Sequence, residues 1–192
     1  ATADRSCLPC AAGTISVKMN AAVCIACPIN SFQPEAGQAS CTKHATCIPG
    51  ERERFAPNAT SDRVCAPCDA GTSSNASNAL VCLACGADEF QPRAGSGFCT
   101  KHAVCAKGEF VTVPPTATAD RGCAPCEVGR SSTMPNASTC DECALGTYQA
   151  SAGSTSCDAC AMGKRGNANA AVPRTSAASH CEVCPASTFS AV

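Results

Sequence analysis

The sequence lacks the material of an ordinary core. Its 192 residues include no Trp, one Tyr and six Phe, so the large side chains that bury ~150 Å² or more apiece are scarce. The hydrophobic fraction of 45% is inflated by Ala and by 20 Cys. No run of ~18 apolar residues exists, nor a basic segment leading into an apolar one, so neither a membrane span nor a signal peptide is legible. Net charge is −1, from 14 basic and 15 acidic residues spread without blocks. That balance gives no draw toward nucleic acid or an anionic membrane surface. ATADRSC at the start repeats internally, and CPASTFSAV at the end opens a unit that is never closed. The expectation is a segment of a longer protein whose leader and anchor lie elsewhere.

What is present is cysteine, above a tenth of all residues, the composition of a disulfide scaffold or a metal-rich chain. Cys7, Cys10, Cys24, Cys27, Cys41 and Cys47 recur 58 residues later at Cys65, Cys68, Cys82, Cys85, Cys99 and Cys105, and again from Cys123. The flanks agree: ATADRSCLPC, ATSDRVCAPC and ATADRGCAPC are one motif, CTKHATC and CTKHAVC another. In the third period Cys160 stands where residue 163 is due, and Cys181 and Cys184 restore the register. The periods divide the chain into repeats at 7–64, 65–122 and 123–180, the last divergent at its end, with 181–192 starting another.

A shorter unit begins at the second cysteine of each pair: Cys10, Cys27, Cys47, Cys68, Cys85, Cys105, Cys126, Cys143, Cys160 and Cys184. Three residues on stand Gly13, Asn30, Gly50, Gly71, Asp88, Gly108, Gly129, Gly146, Gly163 and Ser187. All but Ser187 are types that tolerate positive φ, which predicts a tight left-handed turn after each starting cysteine. Two residues further, Ile15, Phe32, Phe90, Phe110, Tyr148 and Phe189 supply one large side chain in six of the units, expected to pack on the neighbouring disulfide. The middle unit of each period carries QPEAGQASC, QPRAGSGFC or QASAGSTSC, with Gly37, Gly95 or Gly153 four residues before the closing cysteine.

The simplest connectivity joins each start to the next closing cysteine: Cys10–Cys24, Cys27–Cys41, Cys47–Cys65, Cys68–Cys82, Cys85–Cys99, Cys105–Cys123, Cys126–Cys140, Cys143–Cys157 and Cys160–Cys181. Cys7 and Cys184 then pair outside this segment. A crossed ladder, Cys7 with Cys24 and Cys10 with Cys27, also closes acceptable loops and stays open on sequence alone. Either way the fold class is small disulfide-rich repeats: an elongated rod of about ten loop units with short β-strands, little helix and no large core.

The eight C-x-x-C pairs, CAPC among them, raise redox and zinc chemistry. A catalytic dithiol needs a thioredoxin-like βαβ setting, and no helical pattern surrounds any pair. Zinc-ribbon spacing is approached, but the C-x5-C intervals and the turn glycines organise single loops. Asn58-Ala59-Thr60, Asn75-Ala76-Ser77 and Asn136-Ala137-Ser138 are N-glycosylation acceptor sequences, and with the cysteines they favour an oxidising, secretory compartment. His44 and His102 recur within TKHAT and TKHAV and are expected to be polar linker residues. Asp4-Arg5, Asp62-Arg63 and Asp120-Arg121 supply too few oxygens for calcium and are expected to cap turns or form local salt bridges. VTVPPTATAD and RSSTMPNAST have the composition of O-glycosylated or surface-loop segments.

GTYQASAGSTSCDAC resembles the ephrin-receptor-like cysteine-rich repeat, and ATSDRVCAPCDAGTSS resembles the start of a tumour-necrosis-factor-receptor cysteine-rich module. Tandem arrays of both are similar to surface proteins of protists, including ciliate immobilisation antigens and the glycoproteins of algal flagellar hairs, the mastigonemes. The C-x-x-C-x-x-C cluster of the receptor modules is absent here, so cytokine binding is not implied. The resemblance implies a cell-surface or extracellular segment without catalytic or metal site and without cofactor. Its expected role is a structural spacer or building block of a coat or filament, partnered by itself or by other surface glycoproteins. The alternative is a receptor-like ectodomain for a protein or glycan ligand, for which GERERFAPNAT, with Glu51, Arg52, Glu53, Arg54 and Phe55, is the candidate surface.

Overall fold

The computed structural model describes residues 7–18 and 21–186. Ser187, Phe189 and the Asp4-Arg5 pair lie outside the described residues. The chain forms two compact units, Ala1–Thr100 and Lys101–Val192.

Each unit is a series of disulfide-closed loops, and most of the loops are antiparallel hairpins of minimal length. In the first, Thr14–Ile15 pairs with Ile25–Ala26, Ser31–Phe32 with Thr42–Lys43, Glu51–Phe55 with Val64–Pro67, and Thr72–Ser73 with Leu83–Ala84. In the second, Glu109–Val113 pairs with Gly122–Pro125, Arg130–Ser131 with Asp141–Glu142, Thr147–Tyr148 with Asp158–Ala159, and Lys164–Gly166 with Cys181–Val183. Two-residue strands cannot hold themselves together in water. The bridges do so: Cys10–Cys24, Cys27–Cys41, Cys47–Cys65, Cys68–Cys82 and Cys85–Cys99 in the first unit, Cys105–Cys123, Cys126–Cys140, Cys143–Cys157 and Cys160–Cys181 in the second. Six loops span 14 residues, two span 18 and one 21, sizes at which one bridge stabilises by about 3 kcal/mol through the unfolded chain.

A turn opens every loop. At all nine described starts the amide four residues after the cysteine donates to the carbonyl one residue after it, as in Thr14 N to Ala11 O (3.1 Å) and Lys164 N to Ala161 O (3.0 Å). The residue before that amide has positive φ at Gly13, Asn30, Gly50, Gly71, Gly108, Gly129, Gly146 and Gly163, which makes these type II turns. Asp88 departs from the expectation. Its turn closes with the same bond, Glu89 N to Gly86 O at 3.0 Å, but Asp88 is not among the left-handed residues. A type I turn spans the same four residues at negative φ and spares a side chain the ~1–2 kcal/mol left-handed cost.

The turns also connect successive loops. The carbonyl of Gly13 accepts from Cys27 N (2.9 Å), that of Gly71 from Cys85 N (2.9 Å) and that of Gly129 from Cys143 N (3.0 Å). The amides of these glycines donate to Gln33, Gln91 and Gln149 carbonyls at 2.7–2.8 Å. Glycine is obligatory at Gly50 and Gly108 for a second reason. A Cβ there would lie 2.3 Å from the Gly95 carbonyl oxygen and 2.1 Å from that of Gly153.

The interior is sulfur and amide. Among the described residues the buried hydrophobic side chains are all cysteines, Cys47, Cys68, Cys105, Cys126 and Cys143 most completely. Beside them lie Gln33, Gln91 and Gln149, each buried and each satisfied in the same way. Gln33 Nε2 donates to Ser40 O (2.7 Å) while its Oε1 accepts from Glu35 N (3.0 Å). Gln91 and Gln149 repeat the pattern with Phe98 O and Arg93 N, and with Ser156 O and Ser151 N. Ile15, Phe32, Phe90, Phe110 and Tyr148 are half-buried, and the Phe32 ring stacks on His44 at 5.2 Å.

Candidate functional site

The first three residues of CAPC lie on the strand Val64–Pro67, and Cys68 follows its end. Its two sulfurs belong to different loops, Cys65 closing on Cys47 and Cys68 opening toward Cys82. Among the described residues only Cys7 and Cys184 are free thiols. Among the described residues the one group of metal-capable side chains, Cys47, Glu51 and Cys65, is built on a single disulfide and has no thiolate to give. Glu51 Oε2 meanwhile accepts from Ile48 N (3.1 Å), as Glu109 does from Ala106 N (2.8 Å), so both carboxylates cap turns.

The two recurrent polar motifs meet each other. Asp62 Oδ1 accepts from Ala45 N and Arg63 N, both at 2.7 Å, and stands 3.3 Å from His44 Nδ1. Asp120 does the same with Ala103 N (2.8 Å), Arg121 N (2.7 Å) and His102 Nδ1 (3.3 Å). Arg63 and Arg121 reach back with Nη1 to the carbonyls of Ala45 and Ala103. Each 18-residue loop is thereby clasped at its base. Donation from the Ala45 amide, first, then from Arg63 and the nearby imidazole, lowers the Asp62 pKa from its ordinary 3.8, against a raising effect of burial. Asp120 is lowered likewise, led by Ala103. The histidines are more than linker residues: the side chain of His44 is 8% exposed and that of His102 3%.

A further structural role escaped sequence reasoning, which saw in Asn136 only a glycan acceptor. Asn78 and Asn136, both at φ 56°, hold the start of the long loops with a two-point bond. Asn78 N donates to Cys47 O (2.9 Å) while its Oδ1 accepts from Cys47 N (3.0 Å), and Asn136 repeats this on Cys105. The signal available was an Asn recurring at a 58-residue interval.

The other candidates are distributed rather than gathered. Asn58, Asn75 and Asn136 are exposed and stand on three different loops. Asn58 Oδ1 accepts from Thr60 N, Thr60 Oγ1 and Ser61 N at 2.8–2.9 Å. In GERERFAPNAT, Glu53 pairs with Arg63 (2.8 Å, both 13% exposed), which leaves Arg54 and Phe55, cation over ring at 5.5 Å, as the outward groups. In RSSTMPNAST, Ser131 and Ser132 are buried, so the sugar-acceptor composition there includes hydroxyls turned inward. No helix of the described residues is long and apolar enough to cross a membrane.

A family model described as tyrosine-protein kinase ephrin type A/B receptor-like matches residues 13–44 and 129–176. No curated protein matches the chain. Residues 13–44 run from the first turn glycine to His44, and 129–176 cover the corresponding loops of the third period and most of the divergent loop Cys160–Cys181. Nine disulfide-closed loops, short strand pairs and that match make this a cysteine-rich repeat protein similar, over part of its length, to an ephrin-receptor-like ectodomain segment.

Proposed function

We propose that the chain is a non-enzymatic extracellular structural glycoprotein segment, a spacer or building block of a cell-surface coat or filament of the protist-type arrays it resembles. One observation carries the reading: the 58-residue recurrence extends from cysteine spacing to individual hydrogen bonds. His44–Asp62 becomes His102–Asp120, and Cys47–Asn78 becomes Cys105–Asn136, each at nearly the same distance. Bonds that repeat from one period to the next hold equivalent loops at a fixed interval, which suits a scaffold. The polar groups with perturbed pKa clasp loops, and the described sulfurs other than Cys7 and Cys184 staple them.

Immunogold electron microscopy of the native cell surface tests the role. A structural element gives label in regular rows on a coat or filament. Scattered label that redistributes when a soluble ligand is added would favour the receptor-like alternative. That alternative draws on Arg54 and Phe55, 59% exposed, which have no charged and aromatic equivalent at Thr112 and Val113 in the next period.

A further inference from the structure

The loops Cys68–Cys82 and Cys126–Cys140 have the same length, turn and strand pairing, and their outer surfaces differ in chemistry. On the first, a groove of about 540 Å³ is lined by Leu80, Val81, Leu83 and Phe98 together with Ser73, Ser74, Glu89 and Asn75. The four apolar side chains are 70, 62, 69 and 70% exposed. Their counterparts one period later are Ser138, Thr139, Asp141 and Ser156, and the counterpart of Asn75 is Thr133. One period earlier they are Ala22, Val23, Ile25 and Ser40, opposite Val17. Of these three surfaces only the one beside Asn75 carries four large apolar side chains; one period later the acceptor Asn136-Ala137-Ser138 stands among the polar counterparts.

The three acceptors also differ in what their amides already do. Asn136 binds Cys105 through its backbone and Oδ1, as Asn78 binds Cys47 with no acceptor sequence at all, so its Asn is explained by folding. Asn58 Oδ1 is engaged with its own loop. The Asn75 side chain makes no hydrogen bond, and Ala76 and Ser77 beside it are exposed. The backbone at Phe98 is held, its carbonyl accepting from Gln91 Nε2 (2.8 Å) and Ser96 Oγ (2.8 Å).

We infer that Asn75 carries an N-linked glycan whose first N-acetylglucosamine residues lie over the groove of Leu80, Val81, Leu83 and Phe98. A pyranose turns one face of C–H groups outward and its hydroxyls sideways. That face suits the electron-rich face of an aromatic ring, and the hydroxyls then cover an apolar patch with a wettable surface. The inference rests on the secretory reading given above and adds one site and one contact to it.

The test is the full chain secreted from a eukaryotic host, compared with Ser77→Ala, which removes the acceptor but leaves Asn75. The Ser77 side chain makes no hydrogen bond, and an unchanged disulfide pattern verifies the variant's fold. Glycopeptide mass spectrometry reads occupancy, and hydroxyl-radical labelling reads cover. The expected result is Asn75 occupied and labelling of Leu80, Leu83 and Phe98 raised several-fold in Ser77→Ala, with Ile29, exposed elsewhere, unchanged. A bare Asn75 in chains with formed disulfides and a glycosylated Asn58 overturns the inference alone. So does equal labelling with Asn75 occupied. Labelling in Ser77→Ala that falls as protein concentration rises assigns the groove to a second copy instead. Free thiols with no glycan at any acceptor remove the secretory reading and the inference together.

Discussion

The loops Cys105–Cys123 and Cys160–Cys181 are counterparts in successive periods, and they hold themselves together with different residues. The first is clasped at its base by Asp120, His102 and Arg121. The second has no such motif. It is 21 residues long against 18, and it fills its extra length with a helical turn, Ala177–His180, capped by Ser176. His180 is buried there and donates through Nε2 to the Ala171 carbonyl (2.7 Å). Arg174 Nη1 donates to Cys143 O (2.7 Å), holding a starting cysteine 31 residues away, the separation at which Asn136 holds Cys105. The two loops share the bridge at Cα separations of 5.4 and 5.6 Å and the left-handed glycine at their start. The bridge and turn are therefore the frame, and the polar filling is interchangeable.

The largest effect is expected from removing a bridge. Cys105→Ala with Cys123→Ala, and Cys160→Ala with Cys181→Ala, should each destabilise by about 3 kcal/mol in denaturant unfolding. A clear inequality between them would mean that filling outweighs frame. The turn glycines separate the loops more sharply. Gly108→Ala meets a carbonyl oxygen at 2.1 Å as well as adopting φ 84°, whereas Gly163→Ala at φ 77° has nothing within 4 Å. The latter should cost ~1–2 kcal/mol, the left-handed penalty alone, and the former clearly more. Asn136→Ala and Arg174→Ala should each cost about 1 kcal/mol, one hydrogen-bonded contact apiece.

The smallest and most local effect belongs to the clasp. A lowered Asp120 pKa means that the folded chain binds fewer protons there than the unfolded chain. The clasp therefore stabilises fully above the ordinary value of 3.8 and is lost as pH falls through the lower folded value. Protection against hydrogen exchange at the Ala103 and Arg121 amides, relative to unstructured amides at the same pH, should fall below that pH and in Asp120→Asn. Protection at Asn167 N, bonded to His180 O in the divergent loop, should not change.

Much of this frame is legible in the cysteine spacing and the turn glycines, because few residue types tolerate positive φ and a closing cysteine leaves few partners. Asp88 misled because Asp fits either hand of turn. The clasp is harder to see. T-x-D-R and TKHA are each visible as recurrences, but nothing in a linear pattern says that residues 18 positions apart share one carboxylate oxygen. Gln33, Gln91 and Gln149 are visible only as a signature, since burial of an amide depends on a carbonyl seven residues on. Asn136 reads as a glycan acceptor, and its bond to Cys105 emerges only in three dimensions. In the divergent loop neither Arg174 nor His180 recurs elsewhere, so no repeat could single them out.

The central claim is that consecutive loops are closed separately, each C-x-x-C being a joint between two staples. Non-reducing peptide mapping of the secreted chain, with fragmentation that resolves Cys65 from Cys68, tests it most directly. The account predicts Cys47 linked to Cys65 and Cys68 linked to Cys82, and the same order through Cys160–Cys181. A crossed ladder, Cys65 linked to Cys82 and Cys68 to Cys85, or a reduced Cys65-Cys68 dithiol, would contradict it.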